Sequence, residues 1–280
     1  MKVTIYTNKP SMQSPILMVK SMWKDLISSK DLSLQLAVRD IKAQYRQSIL
    51  GILWAFLLPL ANTLIWMYLQ GTGIINVGKT EIPYPVFVFT GTMIWSIFVD
   101  SVQMPLNQII ASRSILAKIN FPTEALFLSG IYQVIFNAAI KILLMVAALL
   151  LLGIYPNWNL FLVPFAIISL IITGTAIGLF LTPIGLLYND IGKIIPFGLQ
   201  ILMFTTPVLF PMPVNGWAHI IYYYNPLTSI VITTRQWLIG QGADYLPSFI
   251  TVNIAMTFVL ITVWVVFRIA KPLLTERMGS

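Results

Sequence analysis

GIINVGKT, Gly73 to Thr80, satisfies the pattern G-x-x-x-x-G-K-[ST] at every position. In a phosphate loop the backbone amides of such a segment cradle phosphates while its Lys and Ser/Thr reach phosphate and magnesium. The loop works only when it follows a strand and opens a helix whose N-terminus faces the ligand. Here an apolar helical run precedes it and EIPYP follows, so Pro83 and Pro85 block a helix growing from the loop. No apolar strand ending in an Asp that could hold magnesium is visible elsewhere. The constrained positions are all common residue types, and the match is read as coincidence. On this reading the chain does not hydrolyse ATP.

Other chemistry is sparse. Cys is absent, which removes thiolate catalysis, disulfides and cysteine metal sites, and His219 is the sole histidine. The acids Asp25, Asp31, Asp40, Glu81, Asp100, Glu124, Asp190, Asp244 and Glu276 are scattered, with no carboxylates paired in sequence. No catalytic residues and no metal site are assigned. Lys141 falls in the middle of an apolar run, where an unpaired charge costs at least about 2.5–3.5 kcal/mol. Asp100 is its candidate partner, at a depth differing by roughly 6 Å; contact with pore water is the alternative. One lysine and one aspartate are thin material for a proton relay.

The elements that must position these residues are membrane helices. Of 280 residues, 58% are hydrophobic and 9% charged, with a mean hydropathy of +0.84; soluble domains carry about 25% charged residues. Crossing a hydrocarbon core takes roughly 20 helical residues. Six spans are expected: Ile49 to Gln70, Tyr84 to Gln103, Leu126 to Gly153, Leu160 to Leu187, Ile194 to Phe210 and Ser248 to Phe267. They divide the chain into an amphipathic region 1–48, a transmembrane domain 49–268 and a tail 269–280. The fold class is therefore an all-α integral membrane protein. Pro59, Pro164 and Pro183 lie inside spans, which suits a packed bundle or a lined cavity. No cleavable signal peptide is expected, because a long basic stretch precedes the first apolar span.

Two amphipathic pieces precede span one. Ser14-Pro15 reads as a helix start, after which Ile16, Val19, Trp23 and Ile27 recur at helical spacing among Lys20, Lys24 and Lys30. This suits a helix on a membrane surface; packing on a partner domain is the alternative. A second pattern, Leu34, Ile41, Tyr45 and Ser48 beside Arg39, Lys42 and Arg46, leads into the bilayer. Basic residues flank the spans on one side: Lys2 through Arg46 before span one, Arg113 and Lys118 between two and three, Lys193 between four and five, and Arg268, Lys271 and Arg277 after six. Only Lys79 and Arg235 fall on the other side. Both termini are therefore expected in the cytoplasm. The net charge of +8 is largely this topology signal, and nucleic acid need not be invoked.

PVNGWAHIIYYYNPLTSIVITTRQWLIG, between spans five and six, is apolar but interrupted at Asn225-Pro226. Its halves, Trp217 to Tyr224 and Leu227 to Ile239, are each too short to cross. They form either re-entrant helices at the outer leaflet, covered by protein or a water-filled cavity, or a flat interfacial lid. Aromatic residues make up 12% of the chain. Trp54, Trp95, Tyr222, Tyr223 and Tyr224 are the candidates to line a channel or its exit, where flat rings suit sugar faces; an interfacial belt or core packing is the alternative.

RDIKAQYRQSILGILWAFLLPL, Arg39 to Leu60, resembles the entry to the first span of type-2 ABC exporter permeases, in the branch that exports lipid-linked polysaccharides such as O-antigen, capsule and teichoic acid. IPYPVFVFTGTMIWSIFVDS, SRSILAKINFPTEAL, LYNDIGK, TTPVLFP and YYYNPLTSIVITTRQWLIG follow in that family's order. The resemblance implies half a transporter in the bacterial inner membrane. Two copies would form the channel as a homodimer, and two separate ABC ATPase subunits would bind ATP and magnesium, leaving this chain without a cofactor. It also implies a coupling helix seated in the ATPase, at Arg113, Ile115, Leu116, Lys118, Ile119, Phe121 and Pro122. Lys20, Lys24 and Lys30 would sit beside the entrance and attract the pyrophosphate of the lipid-linked glycan. Alternatives are a permease for drugs or small lipids, and a membrane glycosyltransferase or acyltransferase.

Overall fold

The long apolar runs become helices, several with prolines or glycines inside them, and the computed structural model has eleven α-helices among the residues it describes. These are 15–46, 49–75, 77, 78, 80, 82–116, 122–188, 190–213 and 215–279, without the side chains of 15–17, 114, 115 and 272–279. In chain order the helices are α1 (Pro15–Ser28), α2 (Lys30–Arg46), α3 (Trp54–Gly71), α4 (Tyr84–Ala111), α5 (Arg113–Leu116), α6 (Thr123–Leu151), α7 (Val163–Leu187), α8 (Ile191–Phe204), α9 (Trp217–Tyr224), α10 (Pro226–Leu238) and α11 (Leu246–Gly279). Short 3-10 turns lead into α3 and α7. No strand occurs among the described residues, so the all-α membrane fold stands.

Helix α4 is the centre. In its most apolar stretch 78% of residues are buried, against 11% in α3 and 6% in α11, whose apolar faces are largely exposed. Phe98, Met93, Ile94 and Ile97 of α4 are fully buried in the main core. Several hydroxyls buried here bond back into their own helix: Thr90 donates to Val86 O, Ser101 to Ile97 O and, on α7, Thr182 to Gly178 O, each at 2.7 Å. A polar side chain can so lie in an apolar core without a lost hydrogen bond.

Helix α7 meets α4 through glycines. A Cβ built on Gly178 would stand 2.1 Å from Val102 O, and one on Gly174 would stand 2.5 Å from Ser101 Cβ. Four-residue spacing puts both on one face, the arrangement that lets membrane helices approach backbone to backbone. A second, smaller apolar cluster joins one end of the bundle: Ile109 of α4, Leu116 of α5, Leu126 and Phe127 of α6, Leu179 of α7 and Phe267 of α11. The Phe127 and Phe267 rings pack edge to face at 5.0 Å.

Among the described residues, five helices are long and apolar enough to cross a membrane. The expected fifth span, Ile194 to Phe210, is the departure. It is the 14-residue α8 followed by non-helical backbone over 205–213, and 14 residues rise only about 21 Å. Pro207, Pro211 and Pro213 end the helix early, because each lacks an amide hydrogen and Pro disfavours helix at the preceding residue. Two expected ends lengthen instead. Helix α4 runs past Gln103 with Pro105 inside it, and α11 continues unbroken past Phe267 to Gly279.

Candidate functional site

The start of the Gly73–Thr80 segment belongs to a helix end. Thr72 N–H donates to Tyr68 O, Gly73 N–H to Gln70 O and Ile75 N–H to Leu69 O, with Gly73 at φ 73°. These amides close the C-terminus of α3 and face its negative dipole end, the wrong sign for a phosphate. The Thr80 hydroxyl donates to Ile82 O at 2.8 Å; Lys79 lies outside the described residues. Among the described residues no group of three His, Cys, Asp or Glu is placed to hold a metal ion.

Where α8 unwinds, α9 and α10 supply the missing hydrogen bonds. The Tyr222 hydroxyl donates to Phe204 O at 2.7 Å, Asn225 Nδ2 donates to Thr205 O at 2.9 Å and to Thr206 Oγ1 at 2.8 Å, and Arg235 Nη2 donates to Val208 O at 3.2 Å. Asn225 also caps α10, its Oδ1 accepting from Leu227 N–H. Arg235 is buried, its guanidinium carbon 3.8 Å from the centroid of the Phe87 ring. Gly91 leaves room for this crossing, since a Cβ there would stand 2.3 Å from Val208 O. Broken backbone in an apolar setting is tolerated where protein satisfies it, and here three side chains from one helical pair do so. Beside the break lies a cavity of about 270 Å³ bounded by Phe87, Pro207, Met212, Arg235, Gln236 and Tyr245.

The candidate aromatics divide. Trp95 is buried against Phe98 with ring centroids 5.0 Å apart, and Tyr222 is buried on α8, so both act in packing. Trp54, Tyr223 and Tyr224 are exposed, and Tyr223 packs between His219 and Tyr224. Lys20, Lys24 and Lys30 are also exposed. On α1 the first two flank Trp23 and Ile27, themselves open, which gives an apolar face edged by cations.

Lys141 of α6 and Asp100 of α4 form the expected pair, Nζ to Oδ2 at 2.7 Å. That pair ends a stripe the sequence reading missed: Ser129, Gln133, Asn137 and Lys141 recur every four residues on one face of α6. Gln133 Nε2 donates to Asp40 Oδ2 at 3.1 Å, and the Tyr45 hydroxyl donates to Asn137 Oδ1 at 3.0 Å, so the stripe seats α2. Burial, and then the Asp100 carboxylate, pushes the Tyr45 phenol up, which keeps it a proton donor. The four-residue polar repeat inside an apolar run was the available signal.

Of the expected coupling residues, Arg113 is exposed and Pro122 half-buried, whereas Leu116 turns inward into the second apolar cluster. Lys118, Ile119 and Phe121 lie outside the described residues, as does the side chain of Ile115. Directly after this stretch stands a polar cluster also missed in sequence. Arg268 Nη1 donates to Glu124 Oε1 at 3.0 Å and Nη2 to Asp25 Oδ2 at 2.6 Å. Residue separations of 144 and 243 hide such a constellation from any reading by local spacing.

The profile of the ABC-2 type transporter family matches residues 32–239, from α2 through α10. The O-antigen export system permease protein RfbA of Myxococcus xanthus is 30% identical over 190 residues, 68% of this chain and 72% of that protein. A protein of the same description from Klebsiella pneumoniae is 26% identical over 221 residues, 77% and 83% of the two chains. The polysialic acid transport protein KpsM of Escherichia coli is 24% identical over 237 residues, 82% and 88% of the two. With membrane-length helices, and with the matched segment covering the broken α8 to α10 unit, this chain belongs to the ABC-2 type transporter family.

Proposed function

We propose that the chain is the permease subunit of an ABC transporter that exports a lipid-linked polysaccharide across the bacterial inner membrane. The observation that carries the substrate class is that relatives similar over most of the chain are described as O-antigen export and polysialic acid transport proteins. The family supports the partnership: ATP and magnesium are bound by a separate ABC ATPase, two copies of which drive two copies of this chain. The exposed apolar faces of α3 and α11 are consistent with a second copy or lipid covering them.

Six crossings with both termini cytoplasmic are retained in this reading, α8 and the backbone after it making the fifth. That places α9 and α10 as a re-entrant pair at the outer end, with Tyr223 and Tyr224 near the exit. The 112–122 segment meets the ATPase through Arg113, Ile115, Lys118, Ile119, Phe121 and Pro122. Leu116 anchors it to the bundle. ATP-driven closure of the ATPases shifts this segment, and the bundle converts the shift into opening of the central path. Lys20, Lys24 and Lys30 on the α1–α2 arm attract the phosphate-bearing head of the substrate beside the entrance.

The test is reconstitution of the chain with its ATPase in vesicles. A lipid-linked glycan should stimulate hydrolysis, and Ile119→Asp/Phe121→Asp should abolish that stimulation. Turnover of a lipid-linked sugar by the chain alone, or stimulation by drugs and not by glycans, would overturn the reading.

A further inference from the structure

The ion pairs of Arg268 reach two separate helices besides its own. It sits on α11, and its guanidinium fork reaches Glu124 in the first turn of α6 and Asp25 on α1. Glu124 is 6% exposed, and its other oxygen accepts from the Thr123 hydroxyl at 3.2 Å. Lys271 lies one turn on, in the field of both carboxylates. Alongside lies the second apolar cluster, in which Leu116 of α5 packs with Leu126, Phe127 and Phe267. Leu116 and Glu124, on either side of the 117–121 stretch, are thus fixed to one body. Leu116 holds by packing, and Glu124 holds by a charge-assisted bond that extends to α1.

From this geometry we infer that Arg268 is a positioning residue for coupling. It ties the start of α6 to α1, so that a displacement of the 112–122 segment moves α6, α11 and the cation-bearing N-terminal arm together. The inference rests on the proposed function, since it gives that segment's motion a path to the substrate entrance. Three features favour a clamp over incidental surface pairing. The Glu124 carboxylate is buried, the fork serves two carboxylates at once, and the other face of α1, with Trp23 and Ile27, is exposed, so a few contacts decide where the helix sits.

The experiment uses the permease–ATPase complex in vesicles with a lipid-linked glycan. Arg268→Gln should lower glycan-dependent export at least about fivefold, the low end of ordinary coupling energies, while ATP hydrolysis stays within about twofold. Arg268→Lys, which keeps the charge but loses the fork, should fall between. Because the chain holds no Cys, Asp25→Cys/Glu124→Cys in the Arg268→Gln background, joined by a short bis-maleimide, supplies the decisive arm: export should be low before bridging and recover after it. Equal export before and after bridging, or an Arg268→Gln complex that exports like wild type, overturns the clamp. If wild type itself neither exports nor responds to glycan, the proposed function fails instead.

Discussion

Lys141 Nζ lies 2.7 Å from Asp100 Oδ2, joining α6 to α4 in the apolar part of the bundle. The lysine side chain is 9% exposed and the aspartate 38%, so the pair opens on its acidic side. Removing the acid alone strands a buried ammonium. Asp100→Asn should therefore destabilise the protein by about 2–3 kcal/mol, near the cost of an unpaired charge in a membrane helix. Adding Lys141→Gln should recover part of the loss, with a coupling of about 1–2 kcal/mol in a double-mutant cycle of thermal unfolding. Additive effects contradict the pairing.

Gly178 should tolerate no side chain. A Cβ there meets Val102 O at 2.1 Å, and backbone cannot move aside as a flexible side chain does. Gly178→Val should cost about 3 kcal/mol or more by forcing α4 and α7 apart. Gly192→Ala, where nothing lies within 4 Å, should leave stability within about 0.5 kcal/mol. Midpoints of denaturation in one detergent compare the two.

Asn225 holds the broken segment by three bonds, capping α10 and binding Thr205 and Thr206. Asn225→Ala loses a cap and orphans a carbonyl, together about 2 kcal/mol. Amide exchange should quicken at residues 205–210 and 226–229 before it does in α4. Uniform protection across these segments contradicts the role.

The cations of the N-terminal arm should act on charged lipid. Each Lys near an anionic surface contributes about 1 kcal/mol, so Lys20→Glu/Lys24→Glu/Lys30→Glu should markedly weaken export of a pyrophosphate-linked glycan and leave basal ATP hydrolysis unchanged. Wild-type export by the triple variant contradicts a role at the entrance.

The long helices were legible because burial in lipid leaves runs of Leu, Ile and Val that no soluble strand or loop produces. Asn225-Pro226 also read true, since a proline fixes the start of α10 and an Asx cap precedes it. Helix α8 did not, because apolar composition continues through TTPVLFP while its prolines end the helix. Hydropathy cannot see that Tyr222, Asn225 and Arg235 replace the lost bonds. Pairing by depth found Lys141 with Asp100, both inside long helices with a fixed rise. The Arg268 cluster escaped because it joins α1, α6 and α11 from distant parts of the chain. The glycine pair Gly174 and Gly178 was available in sequence as a small-residue repeat, and its meaning depends on the partner backbone.

Transport itself tests the central claim most directly. Inside-out vesicles containing this chain and its ABC ATPase are loaded with a fluorescent lipid-linked glycan, and its movement to the lumen is followed after adding ATP. The account predicts translocation that requires ATP, magnesium and both proteins, and none with either protein alone. Translocation by this chain without the ATPase, or ATP consumption by the complex that never moves the glycan, would contradict it.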